Sequence, residues 1–256
     1  MIDYDRQGRL GLITLNRPEA RHAINRQMAA EMEAAIDRAE ADADVRVVVL
    51  RAASTGNRAV FCSGQDLKSL GTPEGNSSTP RGGFAGLVQR QRTKPLIAAV
   101  DGLATAGGCE IVLACDLVVA STRASFGLAE VTRNLVAAAG GLFRLPRAIG
   151  RAAAMDAILT GEPISGERAH QLGMVSRLVG AGEAEAAAID LAAVIGANGP
   201  LAVQESRRVV LAADDSDDES LWAMSHDAIG RMLRSDDLQE GLRAFAERRP
   251  PEWTGR

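Results

Sequence analysis

Short apolar runs alternate with helical patterns up to Gly140, and beyond that point the strand signal nearly vanishes. Strand-like runs lie at Leu10–Leu15, Arg46–Leu50, Val60–Cys62, Leu96–Val100 and Leu117–Ala120. Between the first two, Met28, Met32, Ala35 and Ile36 recur at helical spacing, which predicts a helix over Asn25–Glu40 with Asn25 as its N-cap. Such alternation predicts βα units. Later helices are predicted at Arg151–Leu159, Ser165–Leu172, Glu183–Ala197, Leu201–Ala212, Asp217–Leu233 and Asp236–Glu247. Gly71–Gly83 is rich in Gly, Pro and Ser and reads as a mobile loop. The acidic run at 214–219 reads as a solvated helix start. Residues 1–198 are therefore expected to form an α/β body and 199–256 a C-terminal helical region.

Composition bounds the function. In 256 residues, 46% hydrophobic content supports a core, yet aromatics are only 3%, so Ala, Val, Leu and Ile must build it. A net charge of −4 argues against nucleic acid, whose phosphates need a basic face. Cys62, Cys109 and Cys115 form no C-x-x-C pair and are read as buried thiols of a reducing compartment. No secretory h-region or membrane-length apolar run is present, so a cytoplasmic protein is expected. There is no nucleophile elbow, no phosphate loop and no dinucleotide fingerprint. His22, His170 and His226 lack metal-ligand spacing and are read as surface histidines or as supports behind a site, with no metal expected.

Two glycine-containing turns remain, FCSGQDL (61–67) and LATAGGCE (103–110). Gly107 and Gly108 at a helix start would leave backbone N–H groups open to an anion or oxyanion; the bland reading is simple loop punctuation. Glu110 is the one charged residue between Asp101 and Asp116. It is either a carboxylate complementing the helix dipole or a catalytic acid. Glu130 lies 20 positions on, and its spacing alone does not distinguish a solvated side chain from a catalytic one.

The blocks LNRPEARHAIN (15–25), FCSGQDLK (61–68), KPLIAAVDGLATAGGCEIVLACDLVVAS (94–121), ASFGLAE (124–130), AGGLFRLPRAIG (139–150) and LTGEPISGERAHQLGMVSRLV (159–179) resemble, in order, the signatures of the enoyl-CoA hydratase/isomerase (crotonase) family. The ending EGLRAFAERRPPEW (240–253) is similar too. That resemblance implies an α/β fold, a crotonase-like spiral of ββα units with a C-terminal helical trimerisation region. It implies an acyl-CoA substrate, no cofactor beyond that CoA, and a homotrimer or dimer of trimers.

Residue by residue, the resemblance places an oxyanion hole at the backbone N–H groups of Gln65 and Gly107. Glu110 falls on the position that activates water and Glu130 on the one that manages the Cα proton, implying hydration of a trans-2-enoyl-CoA. CoA contacts are implied at Arg21, Ser63, Asp66, Leu67 and Lys68, and at Arg248 toward a neighbouring subunit. Arg21 reads equally as a free surface arginine. Ala129 replaces a common Pro, and Val136-Ala137-Ala138 replaces an Ile-Pro-Gly-like turn where Ala138 would line the acyl pocket. Leu135–Pro146 also resembles carnitinyl-CoA dehydratase-like members. The same blocks are compatible with an isomerase of the family and with a non-catalytic acyl-CoA-binding protein.

Overall fold

A computed structural model describes residues 1–53, 59–69, 71–72 and 75–256. The chain opens with β1 (Ile2–Gln7), β2 (Leu10–Leu15), α1 (Arg26–Ala41), β3 (Val47–Ala52) and β4 (Val60–Cys62). There follow β5 (Ser78–Thr79), β6 (Gly83–Phe84), β7 (Leu96–Val100), β8 (Leu103–Thr105), α2 (Gly107–Leu113), β9 (Leu117–Ser121) and β10 (Ser125–Gly127). After them come α3 (Gly141–Ile149), α4 (Arg151–Thr160), β11 (Ile164–Ser165), α5 (Gly166–Gln171) and β12 (Arg177–Val179). Four helices finish the chain: α6 (Ala184–Gly196), α7 (Pro200–Ala212), α8 (Asp218–Leu233) and α9 (Asp236–Glu247).

Each turn of the chain gives one strand to each of two sheets. The larger sheet has the order β1-β2-β3-β7-β9-β12 and the smaller the order β11-β10-β8-β4. Thus β3 leads to β4, β7 to β8 and β9 to β10, as a spiral of ββα units requires. Neighbours pair in parallel except β1 with β2 and β10 with β11.

Both faces of the larger sheet are covered, which explains its near-continuous apolar strands. Ile13, Leu15, Val48 and Leu50 face the main core with α1, while Leu10, Leu12, Val47 and Val49 face Ala188, Leu191 and Ala192 of α6. Asn25 caps α1 by accepting from Met28 N–H at 2.9 Å.

Several expectations need correction. The stretch read as a loop at 71–83 contains β5 and the start of β6, a hairpin pinned to α1. There Thr79 Oγ1 donates to Glu33 at 2.5 Å and Arg81 pairs with Asp37 at 2.5 Å. Positions 73 and 74 of that stretch lie outside the described residues. Strands β11 and β12 continue beyond Gly140, where the strand signal had faded. His22 is fully buried rather than at the surface. Its Nδ1 accepts from Arg17 N–H at 3.1 Å, so Nε2–H donates to the Ala53 carbonyl at 3.1 Å, and burial lowers its pKa.

The C-terminal tail folds back onto the body. Trp253 Nε1–H donates to Ala197 O at 2.7 Å, and Arg46 donates to Trp253 O at 2.8 Å. Asp237 and Glu240 of α9 accept backbone N–H groups from Thr254, Gly255 and Glu252.

Candidate active site

The two glycine turns meet. A Cβ built on Gly64 would stand 3.0 Å from Gly107 N, and Gly64 itself adopts a φ of +88°, where a side chain would be strained. Gly108 seats α2 against β4, since its Cβ would lie 2.1 Å from Cys62 O. Ahead of α2, Ala106 takes a φ of +51° and ψ of −129°, rare for a residue with a Cβ. Its carbonyl accepts from Cys109 and Glu110, closing the first turn. Gly107 N–H has no partner among the described residues, and neither does Gln65 N–H, whose side chain instead donates to Gly75 O at 3.0 Å. Two unpaired donors from sequence-distant turns therefore line one wall.

They line a cavity of about 740 Å³. Glu110 and Glu130 also line it, as do Phe84, Arg133, Leu135 and Ala138. Glu110 is only 3% exposed, on the first turn of α2. Its Oε1 accepts from Gly141 N–H at 2.9 Å, at the start of α3. Burial raises the Glu110 pKa and Glu130 adds to the rise, while the Gly141 and Ala139 N–H groups and the Arg144 guanidinium oppose it. Glu130 begins a 3₁₀ turn over Glu130–Arg133. Burial raises its pKa too, and its Oε2 is buried with no hydrogen-bond partner. Its own backbone N–H and the Arg133 guanidinium oppose that rise, while the buried oxygen without a partner favours the protonated form.

Among the other sequence-predicted residues, Ser63, Leu67 and Ala138 line the cavity, with Leu67 54% exposed. Ser63 N–H donates to Arg21 O at 3.1 Å, which leaves its carbonyl for a ligand. Asp66 is buried and its carboxylate holds Arg17 at 2.7 Å and Lys68 N–H at 3.1 Å. Arg21 and Lys68 are exposed beside the first turn but do not line the cavity, and Arg248 ends α9 well apart in sequence and outside the cavity wall. Phe84, Arg133 and Arg144 escaped the sequence reading. Phe84 carries the least signal, yet a Cβ on Gly107 would meet its ring at 2.5 Å.

No group of three or more potential metal ligands occurs among the described residues. No single helix among them is long and apolar enough to cross a membrane.

Comparison with known proteins agrees with this geometry. The family model for enoyl-CoA hydratase/isomerase matches residues 5–256. The chain is 37% identical to an enoyl-CoA hydratase of Mycobacterium tuberculosis, over 98% of this chain and 96% of that one. It is 40% identical to an (E)-benzylidenesuccinyl-CoA hydratase of Thauera aromatica, over 95% and 94%. A crystal structure of an enoyl-CoA hydratase from Mycobacterium tuberculosis superposes with a TM-score of 0.94 at 42% identity, covering 100% of this chain and 99% of that one. With its spiral of paired strands and its two glycine turns sharing a cavity with Glu110 and Glu130, the chain belongs to the enoyl-CoA hydratase/isomerase family and has its crotonase fold.

Proposed function

We propose that the protein is an enoyl-CoA hydratase, a hydro-lyase adding water to a trans-2-enoyl-CoA, with Glu110 as base and Glu130 as acid. The carrying observation is that a buried carboxylate, Glu110, and a half-buried one, Glu130, share a cavity with two unpaired backbone N–H groups. Their environments differ in the sense that divides acid from base. Glu110 has the Gly141 N–H and the Arg144 cation to support a charge, whereas Glu130 Oε2 has no partner.

In this reading the thioester oxygen lies against Gln65 and Gly107 N–H. Ionised Glu110 removes a proton from water, and the hydroxyl attacks Cβ. Electrons of the double bond move onto the thioester oxygen as an enolate, where each donor is worth about 3–4 kcal/mol. Protonated Glu130 then supplies the Cα proton, and the two carboxyls exchange their proton through solvent. No cofactor beyond the substrate's own CoA enters these steps. Arg21, Ser63, Asp66, Leu67 and Lys68 form the CoA-side turn, with Asp66 holding its shape through Arg17. Ala138 touches the acyl group, and Arg248 belongs to a neighbouring subunit's site.

A homotrimer or dimer of trimers fits the exposed apolar side chains of the C-terminal region, 199–256, where Phe245 is 85% and Trp222 65% exposed. Three free thiols suit a cytoplasmic location. The test is to incubate the protein with crotonyl-CoA and follow loss of the conjugated enoyl thioester and appearance of the 3-hydroxyacyl product. Hydration is expected. Binding without turnover would identify a mere acyl-CoA binder, and conversion of a 3-enoyl-CoA alone would identify an isomerase.

A further inference from the structure

Behind the catalytic cavity lies a second one of about 880 Å³, walled by the body on one side and by α7 and α8 on the other. The two share Val88 in their walls. Arginines dominate the second cavity, and their pairing is uneven. At its outer rim three arginines meet four carboxylates: Arg208 and Arg231 pair with Glu205 and Asp227, and Arg147 with Asp214 and Asp215. Deeper in, Arg92 and Arg207 share one carboxylate, Asp116, at 3.4 and 2.8 Å. Arg144 beside them donates only to the carbonyls of Ala139 and Val88, at 3.3 and 2.6 Å.

Three guanidiniums therefore share the cavity wall with Asp116, with Glu110 acting on Arg144 from the catalytic side, which leaves an excess of positive charge. The Arg92 and Arg207 side chains are only 8% and 13% exposed. Their Nε atoms are buried without hydrogen-bond partners, as is that of Arg90 on the same wall, whose Nη2 pairs with Asp37 at 2.5 Å. Buried charge left uncompensated is costly, and a buried donor left unpaired adds to that cost. The excess sits in a protein whose net charge is −4, so it is local and not a general basicity.

We infer that the inner end of this cavity binds a tetrahedral oxyanion of the phosphate class, held by Arg92, Arg207 and Arg90 next to Arg144. An anion matches the excess of positive charge, and the several oxygens of phosphate can accept from donors arriving from different elements. This inference is independent of the catalytic roles given to Glu110 and Glu130. It has a consequence for them, because an anion beside Arg144 weakens the cation field that supports ionised Glu110.

The test is calorimetric titration of the full-length protein with inorganic phosphate at constant ionic strength in a chloride buffer. Saturable binding of one phosphate per chain is expected, persisting when CoA is present at saturation. Affinity should fall about tenfold or more in Arg207→Gln, the loss of one charge-assisted hydrogen bond or more. Arg92→Lys, which keeps the charge but loses Nε, guards against a folding defect and should also weaken binding while circular dichroism stays native. Tighter binding of a simple phosphomonoester than of inorganic phosphate would mark a phosphorylated metabolite as the source, and the reverse would mark free phosphate. With phosphate bound, the acid limb of the kcat profile should move to higher pH while KM is unchanged. Absence of saturable binding, equal affinity in the folded variants, or displacement by CoA would overturn the inference.

Discussion

At the residue scale the site depends on how Glu110 is held. A methyl on Gly141 would stand 3.1 Å from Glu110 Oε1 and 2.8 Å from Leu128 Cδ1. Gly141→Ala should therefore lower kcat by about 10- to 100-fold, the size expected of a small misplacement, with CoA-ester affinity nearly unchanged. Parallel kinetics and ligand binding check this. The same burial that tunes the two glutamates costs stability. Both folded-state pKa values are raised, so neither penalty exists below the ordinary carboxylate range. Each grows as pH rises from the ordinary carboxylate value to the raised one and is constant above it. Glu110→Gln should thus raise the thermal midpoint at neutral pH and lose that advantage near pH 4, about the unperturbed value. A pH series of melting curves decides it. Family-like blocks made these two glutamates legible in the sequence. Phe84, Arg133 and Arg144 were not, because what they meet lies far away in the chain: Arg144 donates to Val88, and Phe84 faces Gly107.

Among the elements, α2 carries two glycines with different duties. Gly108 meets the Cys62 carbonyl, so Gly108→Ala should lose stability and activity together. Gly107 meets the tip of the Phe84 ring, which can swing away, so Gly107→Val should keep a native circular dichroism spectrum and lose turnover by about 10²-fold. A folded Gly107→Val protein with normal turnover would contradict the oxyanion assignment. Strands β2, β3, β7 and β9 of the larger sheet were readable as apolar runs, α1 from its spacing and cap, and α8 from its helical pattern, but β1 was not. Of the smaller sheet only β4, Val60–Cys62, was readable. That sheet's strands have two or three residues each, too short to show any alternation. Helix α3 was hidden by Pro146, which reads as a breaker yet sits inside it, and by the glycines at its start.

The whole molecule presents a C-terminal region whose helices α7 and α8 contain no buried residue. Large apolar side chains exposed there predict self-association, so sedimentation at micromolar concentration should report three or six chains and not a stable monomer. The helices α6 to α9 were readable from their helical spacing. The return of the tail was not, since Trp253 reaches back to Ala197 and its ring packs over Gly241 at 3.2 Å from a built Cβ. All these features serve one claim, that the assembled protein adds water to an enoyl thioester with Glu110 and Glu130. Its most direct test is single-turnover hydration of crotonyl-CoA by the wild type, Glu110→Gln and Glu130→Gln, with substrate affinity measured alongside. The account predicts that each variant loses about 100-fold or more in the chemical step while binding the thioester nearly as well. Near-wild-type hydration by either variant would contradict it.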